Sequence, residues 1–391
     1  MNVPLDRLYD FLQDICNQDV LIYRFLPHGS RKVEDCNPLR NPAESDKKIK
    51  MICHDQETLD SRFYYSKIVD KHFELPGVPY PILNVLFKPS PVYYDHVLLL
   101  HSEMNSKDVA WFEQRGSVAV YWWSHALIAR DWFRYANVDP ILTKSTVPKK
   151  DFLIYNRAWS GLREYRIKFT DLIVTNNLQT HCQMTFNPID DGIHWHDHVF
   201  ENSSFIPSCA NLDEYFQIST VDSTASADYN SSDYGQTAIE VVLETVFDDT
   251  KWHLTEKTLR PIACGQPFIL VGTPGSLQYL KRYGFQTFSE HIDESYDSIL
   301  DPVQRLNAVI KLMQSIAELS NKEKQKLFVS LHSVCEHNKQ RFFSDEFFNQ
   351  ITEEFLTNFE HAFLWIQETD SHQYYERDFL RIQSVKQAFA V

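Results

Sequence analysis

Several short apolar runs in this chain are unbroken, and each closes on a polar or charged residue. In DHVLLLHSE (95–103) a Val-Leu-Leu-Leu run ends at His101, Ser102 and Glu103. A strand that is apolar on both faces belongs inside a parallel sheet covered by helices, and the carboxyl end of such a strand is where these sheets carry ligands. Segments of helical period lie between the runs. LDRLYDFLQDIC (5–16) is amphipathic, and NSKDVAWFEQRG (105–116) has a polar N-cap and Gly116 as its stop. VAVYWWSHALIARDWFRYA (118–136) reads as a strand, a turn at Ser124 and a helix. DVLIYRFL (19–26) and KKIKMICHDQE (47–57) read as further strands. The alternation predicts an α/β fold with parallel sheets.

The pattern occurs twice. Residues 138–151 hold two prolines and no clear period, and are read as an inter-domain linker. Beyond them come a strand in DFLIYNRAW, a helix in SGLREYRIKFTDLIV and a strand in QTHCQMTF. Residues 187–237 are polar, with 223–235 the most loop-like, and AIEVVLETVF (238–247) and PFILVG (267–272) return to buried strands. From Asp301 on the chain turns helical: Asp301-Pro302, and Ser320 with Glu323, are helix N-terminal signatures. At roughly 100–200 residues per domain, 391 residues suit two domains. The expected division is 1–145 and 146–300, each Rossmann-like, with helices over 301–391 packing on both.

Composition narrows the function classes. A net charge of −15 disfavours a broad basic coat for nucleic acid, leaving local clusters at 29–32, 47–50 and 149–150. The N-terminus lacks the basic region and unbroken apolar core of a signal peptide, and no apolar run approaches bilayer length. Seven scattered Cys with no CxxC pair suit reduced thiols. The expectation is a cytoplasmic chain with no membrane partner. No GxGxxG and no P-loop occurs among only ten Gly.

Four groups of residues could carry chemistry. In the first, Asn156 and Arg157 end a strand, and Ser160-Gly161 opens a helix with Arg163 in its first turn and Arg166 one turn on. Cations at the positive end of a helix dipole call for an anion there, and guanidinium forks suit a diphosphate. A surface salt-bridge cluster with Glu164 is the competing reading. In the second, Thr255 caps a helix whose first turn holds Glu256 and Lys257: a carboxylate for ribose hydroxyls, an ammonium for a phosphate. Pro261 predicts a kink, or a helix that settles later. A plain capped helix is the competing reading.

In the third, Asp55, Glu57, His101, Glu103 and His125 all follow predicted strands and would crowd one sheet edge. Glu103 and Asp55, then His125, are the candidates for a base that takes a proton from an acceptor hydroxyl. For any one of them taken alone, a loop cap or a satisfied buried polar group is the favoured reading. The fourth is HWHDH (194–198), where three alternating His would share a strand face as metal ligands do. No completing ligand has a suitable spacing, so no metal and no other cofactor is expected, and a loop with cleft-facing histidines is preferred.

TEKTLRPIACGQPFILVG resembles the nucleotide-sugar motif of fucosyltransferase-like and exostosin-like GT-B glycosyltransferases. In those families the Glu contacts the ribose, and the Lys or an Arg the diphosphate; the matching residues are Glu256 and Lys257, with Arg157 or Arg163. HDQE, LLLHSE, YWWSHALIARDWFRYA, NRAWSGLREYR and TEKTLRPI are similar to blocks of a phage-encoded group of glycosyltransferases, over about residues 50–300. Pro261 departs from the fucosyltransferase pattern, so the donor is not carried over. The resemblance implies two facing Rossmann-like domains, an inverting transfer from a nucleotide-sugar, and no metal. Its phage side favours a hydroxymethylated or hydroxylated pyrimidine in DNA as acceptor, of the kind such phages glucosylate or arabinosylate. The net charge opposes DNA, and a glycan or small polyol is the alternative. A non-enzymatic nucleotide- or partner-binding protein on a GT-B fold is the other reading, with the Phe-rich stretch 346–367 as a possible dimer surface.

Overall fold

The computed structural model describes residues 20–25, 36–38, 49–54, 56, 58–59, 96–114, 117–142, 148–216 and 226–369. The helix expected over 5–16 and the candidates Asp55 and Glu57 lie outside them. In chain order the strands are β1 (Val20–Phe25), β2 (Cys36–Pro38), β3 (Ile49–His54), β4 (His96–His101), β5 (Ser117–Tyr121), β6 (Lys150–Asn156), β7 (Cys182–Phe186), β8 (Ile189–Asp190), β9 (Ile193–His194), β10 (Thr237–Leu243) and β11 (Phe268–Val271). The α-helices are α1 (Lys107–Glu113), α2 (Ser124–Trp132), α3 (Tyr165–Thr175), α4 (Ser231–Gln236), α5 (Glu256–Cys264), α6 (Ser276–Arg282), α7 (Pro302–Ala317), α8 (Asn321–Phe343) and α9 (Asp345–Thr369). The fold is α/β with parallel sheets. None of the described helices is long and apolar enough to cross a membrane.

The chain divides into two compact units, Met1–Asp131 with Phe348–Val391, and Trp132–Phe347. The first boundary falls at the end of α2 rather than in the Pro-containing stretch 138–151, whose last residues already belong to β6. The C-terminal helices are shared out: α7 and α8 belong to the second unit, and α9 from Phe348 onward to the first.

In the first unit the strand order is β2-β1-β3-β4-β5, with β2 antiparallel at the edge and the rest parallel. Leu98, Leu99 and Leu100 of β4 are all buried, as expected for a strand covered on both faces. The register aligns His54 with His101 and His101 with Tyr121, bringing these side chains to one carboxyl edge. Helix α9 packs here through Phe355 against Trp122 (ring centroids 4.7 Å apart) and a bond from Asn358 Nδ2 to the Tyr121 carbonyl (2.9 Å).

In the second unit the order is β11-β10-β6-β7, all parallel. The chain moves outward from β6 to β7, then returns to the other side of β6 as β10 and continues to β11. That reversal makes the carboxyl ends of β6 and β10 a topological switch point, where open α/β sheets form a crevice. All seven residues of β10 are buried, including Glu240. Its carboxylate is paired with Arg260 of α5 (2.7 Å) and accepts from Tyr234 (2.5 Å), and the Arg260 guanidinium lies over the Tyr155 ring. Helices α7 and α8 begin as the caps predict: Asp301 accepts from Gln304 N, and Ser320 with Glu323 forms a complete capping box.

Candidate functional site

The switch point gathers most of the residues expected to bind a donor, in two different roles. Asn156, the last residue of β6, is fully buried; its amide donates to the Arg166 carbonyl (3.3 Å) and Thr170 Oγ1 (2.9 Å). It fastens the strand end to α3 and is not presented to a ligand. Arg157 follows immediately and is only half-buried. It makes no hydrogen bond or ion pair with any described residue.

Arg166 does not share a face with Arg163. It turns inward, donating to the carbonyls of Ala158 (2.6 Å), Leu243 (2.6 Å) and Glu244 (3.1 Å). One buried guanidinium thus stitches together the chain leaving β6 and the chain leaving β10. Gly161–Arg163 is a 3-10 turn and α3 starts only at Tyr165; the carbonyls that leave β10 hold Arg166 inward. Arg163 is half-buried in that turn. A carboxylate stands at this turn: Trp159 N and Ser160 N both donate to Asp190 (2.8 and 2.7 Å). Burial pushes the Asp190 carboxyl up, but the Ser160 and Trp159 bonds and the nearby Arg163 outweigh it and hold it below its ordinary range.

At the end of β10, Glu244 is fully buried and its carboxylate organises the Thr-Glu-Lys block. It accepts from Thr245 N (3.0 Å), Thr255 N (2.9 Å), Thr255 Oγ1 (2.9 Å) and Thr258 Oγ1 (2.5 Å). This clamp fixes where α5 starts. Thr255 is its N-cap, accepting from Lys257 N, and Gly265 closes it in the left-handed conformation at φ 72°. The helix therefore runs through Pro261 instead of settling after it. Glu256 is buried, and Lys257 is half-exposed with Nζ 2.8 Å from the Glu256 carboxylate and 3.2 Å from Thr255 Oγ1.

Within the first unit, Glu103 and His101 lie at the carboxyl edge of β4 and line a cleft of about 660 Å³. Glu103 is buried, and each of its oxygens accepts a bond, one from Leu59 N (2.6 Å) and one from Ser106 Oγ (2.5 Å), the hydroxyl that also caps α1. His101 Nδ1 faces Glu103 N (3.3 Å), and burial drives its pKa down to about 3, so it is neutral at ordinary pH. His125 does not line this cleft; it is buried in the first turn of α2, with Nε2 3.0 Å from the Gln56 carbonyl. Asp55 lies outside the described residues.

The three histidines of HWHDH do not share a strand face. Only Ile193–His194 is strand, and Trp195–Asp197 is a 3-10 turn with Trp195 buried. The rings turn to different partners: His194 to Asp213 (3.2 Å), His196 to the Ala210 carbonyl (2.8 Å) and His198 to Glu164 (3.3 Å).

Glu244 and Asp190 carry the local architecture together with Arg166, and residue spacing singled out Arg166 for a diphosphate but not the two carboxylates. One signal was available for Glu244: two carboxylates, Glu240 and Glu244, interrupt a single apolar run, and buried carboxylates need donors. No family model matches the chain, and neither a curated protein nor a solved structure was found to be similar to it.

Proposed function

We propose that the chain is a nucleotide-sugar-dependent glycosyltransferase of the GT-B type, inverting at the transferred carbon, with its donor at the switch point of the second unit. The observation that carries this reading is the strand-order reversal between β6 and β10. A half-buried Arg157, with no partner among the described residues, follows one strand, and a clamped Thr255-Glu256-Lys257 helix start follows the other. Glu256 holds the ribose hydroxyls. Arg157, Arg163 and Lys257 face the diphosphate and offset the charge that builds on it as it leaves. The acceptor oxygen bonds to the anomeric carbon, the bond from that carbon to the diphosphate oxygen breaks, and the acceptor proton passes to a carboxylate, Glu103 in this proposal. No metal or other cofactor is part of the scheme.

Two acceptors stand beside each other: a hydroxylated pyrimidine in DNA, and a glycan or polyol. The carboxylates Glu103 and Glu113 both line the first unit's cleft, and they repel a phosphate backbone, which favours the uncharged acceptor. A non-enzymatic nucleotide-binding protein on the same fold is the second reading. It is favoured by one observation, that both Glu103 oxygens already accept hydrogen bonds. Incubation with labelled nucleotide-sugars and glycan or DNA acceptors decides: transfer that is lost in Glu256→Ala and Glu103→Gln supports the enzyme. Nucleoside diphosphate binding without transfer or donor hydrolysis supports the binding protein.

A further inference from the structure

The first unit's cleft has a chemistry of its own. Its floor is the carboxyl end of β4 and β5 from Ser117 to Tyr121, and its walls are α1 and α9. Trp365 on α9 stands at this cleft with 49% of its surface exposed, a large indole face that a monomeric helix would ordinarily bury. The same cleft is lined by carboxylates (Glu103, Glu113), an amide (Asn358), an imidazole (His361) and Tyr121. Flat apolar platforms of this kind suit the C–H face of a pyranose, and planar carboxylates and amides suit its vicinal hydroxyls. These groups fix orientation while the ring supplies contact area. Two carboxylates oppose phosphate, sulfate or carboxylate ligands. A volume of about 660 Å³ exceeds what a small ammonium ion would fill and holds a sugar of more than one ring.

We propose that this cleft is a binding site for an uncharged oligosaccharide, with one ring stacked on Trp365 and hydroxyls held by Glu113 and Asn358. That the bound saccharide serves as the acceptor rests on the transferase reading; that it binds does not. The test uses the full chain, fluorescently labelled, on an array of immobilised neutral, sialylated and sulfated glycans. Saturation-transfer NMR on the glycans that bind follows, with a hydroxymethylcytosine duplex as a separate arm. The expected result is binding to uncharged glycans, weakened at least tenfold in Trp365→Ala and in Glu113→Ala and unchanged in Lys326→Ala, an exposed substitution on α8. Both cleft residues are exposed, so both variants keep the fold, checked by circular dichroism. A silent array, binding confined to anionic glycans or to the duplex, or binding that survives both cleft variants would overturn the proposal. Saccharide binding by a chain that binds no nucleoside diphosphate would leave the cleft standing and remove the transferase.

Discussion

Glu244 is a buried carboxylate whose four donors all come from the protein, two of them backbone N–H groups. Removing it strands those donors, each at a cost of about 1–3 kcal/mol. Glu244→Ala should therefore lose roughly 3 kcal/mol or more in urea unfolding, and donor binding with it, whereas Glu244→Gln keeps an acceptor and loses less. Arg157 behaves in the opposite way. It has no partner among the described residues, so Arg157→Ala should keep the melting temperature and weaken nucleoside diphosphate binding about ten- to a hundredfold, the worth of a charge-assisted bond. The buried Glu240–Arg260 pair gives a third contrast. Glu240→Ala alone leaves a buried guanidinium uncompensated and should cost about 3–5 kcal/mol, while Glu240→Leu with Arg260→Met should recover much of it. His101 sets a pH dependence. Its folded pKa of about 3 lies below its unfolded value of 6.5, so the unfolded chain binds the extra proton between the two. Stability should fall as pH drops from about 6.5 toward 3, and His101→Asn, which keeps an acceptor for Glu103 N, should flatten that part of a melting-temperature profile.

At the scale of elements, much of the fold was legible because it rests on period and capping. The strands at 96–101, 150–156, 182–186, 237–243 and 268–271, the turn at Ser124 and the caps at Thr255, Asp301 and Ser320 follow from apolar runs and short polar side chains acting locally. What was not legible depends on contacts distant in sequence. Arg166 looked like a partner of Arg163 because it lies three residues on, yet its acceptors at Leu243 and Glu244 are 77 and 78 residues away. For HWHDH a loop was preferred over a strand of alternating histidines, and burying Trp195, with its Nε1 2.5 Å from Asp213, turns the chain after two residues. Residues 231–236 read as loop and form α4, capped by Asn230. Of the candidate site, Arg157, Glu256 and Lys257 were visible as charged residues closing a strand or opening a helix. The Glu244 clamp that places the last two was not, since it links residues 11 and 14 positions apart through a loop. Thr255→Ala tests that element directly: loss of the cap should cost about 1 kcal/mol.

At the scale of the molecule, two α/β units carry different chemistries. The second has cations at a switch point, and the first has carboxylates and an exposed indole around a cleft. The net charge of −15 makes both units poor general binders of polyanions, so diphosphate recognition has to come from a few placed groups and should be sensitive to single substitutions. A ligand that binds only the folded chain raises its apparent melting temperature in proportion to the logarithm of its concentration over Kd. The most direct measurement is a thermal-shift panel of nucleoside diphosphates and nucleotide-sugars on the full chain, on Arg157→Ala and on Glu256→Ala. A donor site at the switch point predicts a rise selective for one nucleoside diphosphate and its sugar conjugates, reduced in both variants, with the unliganded melting temperature of Arg157→Ala at the wild-type value. No rise with any nucleotide, or a rise that both variants retain in full, would contradict it.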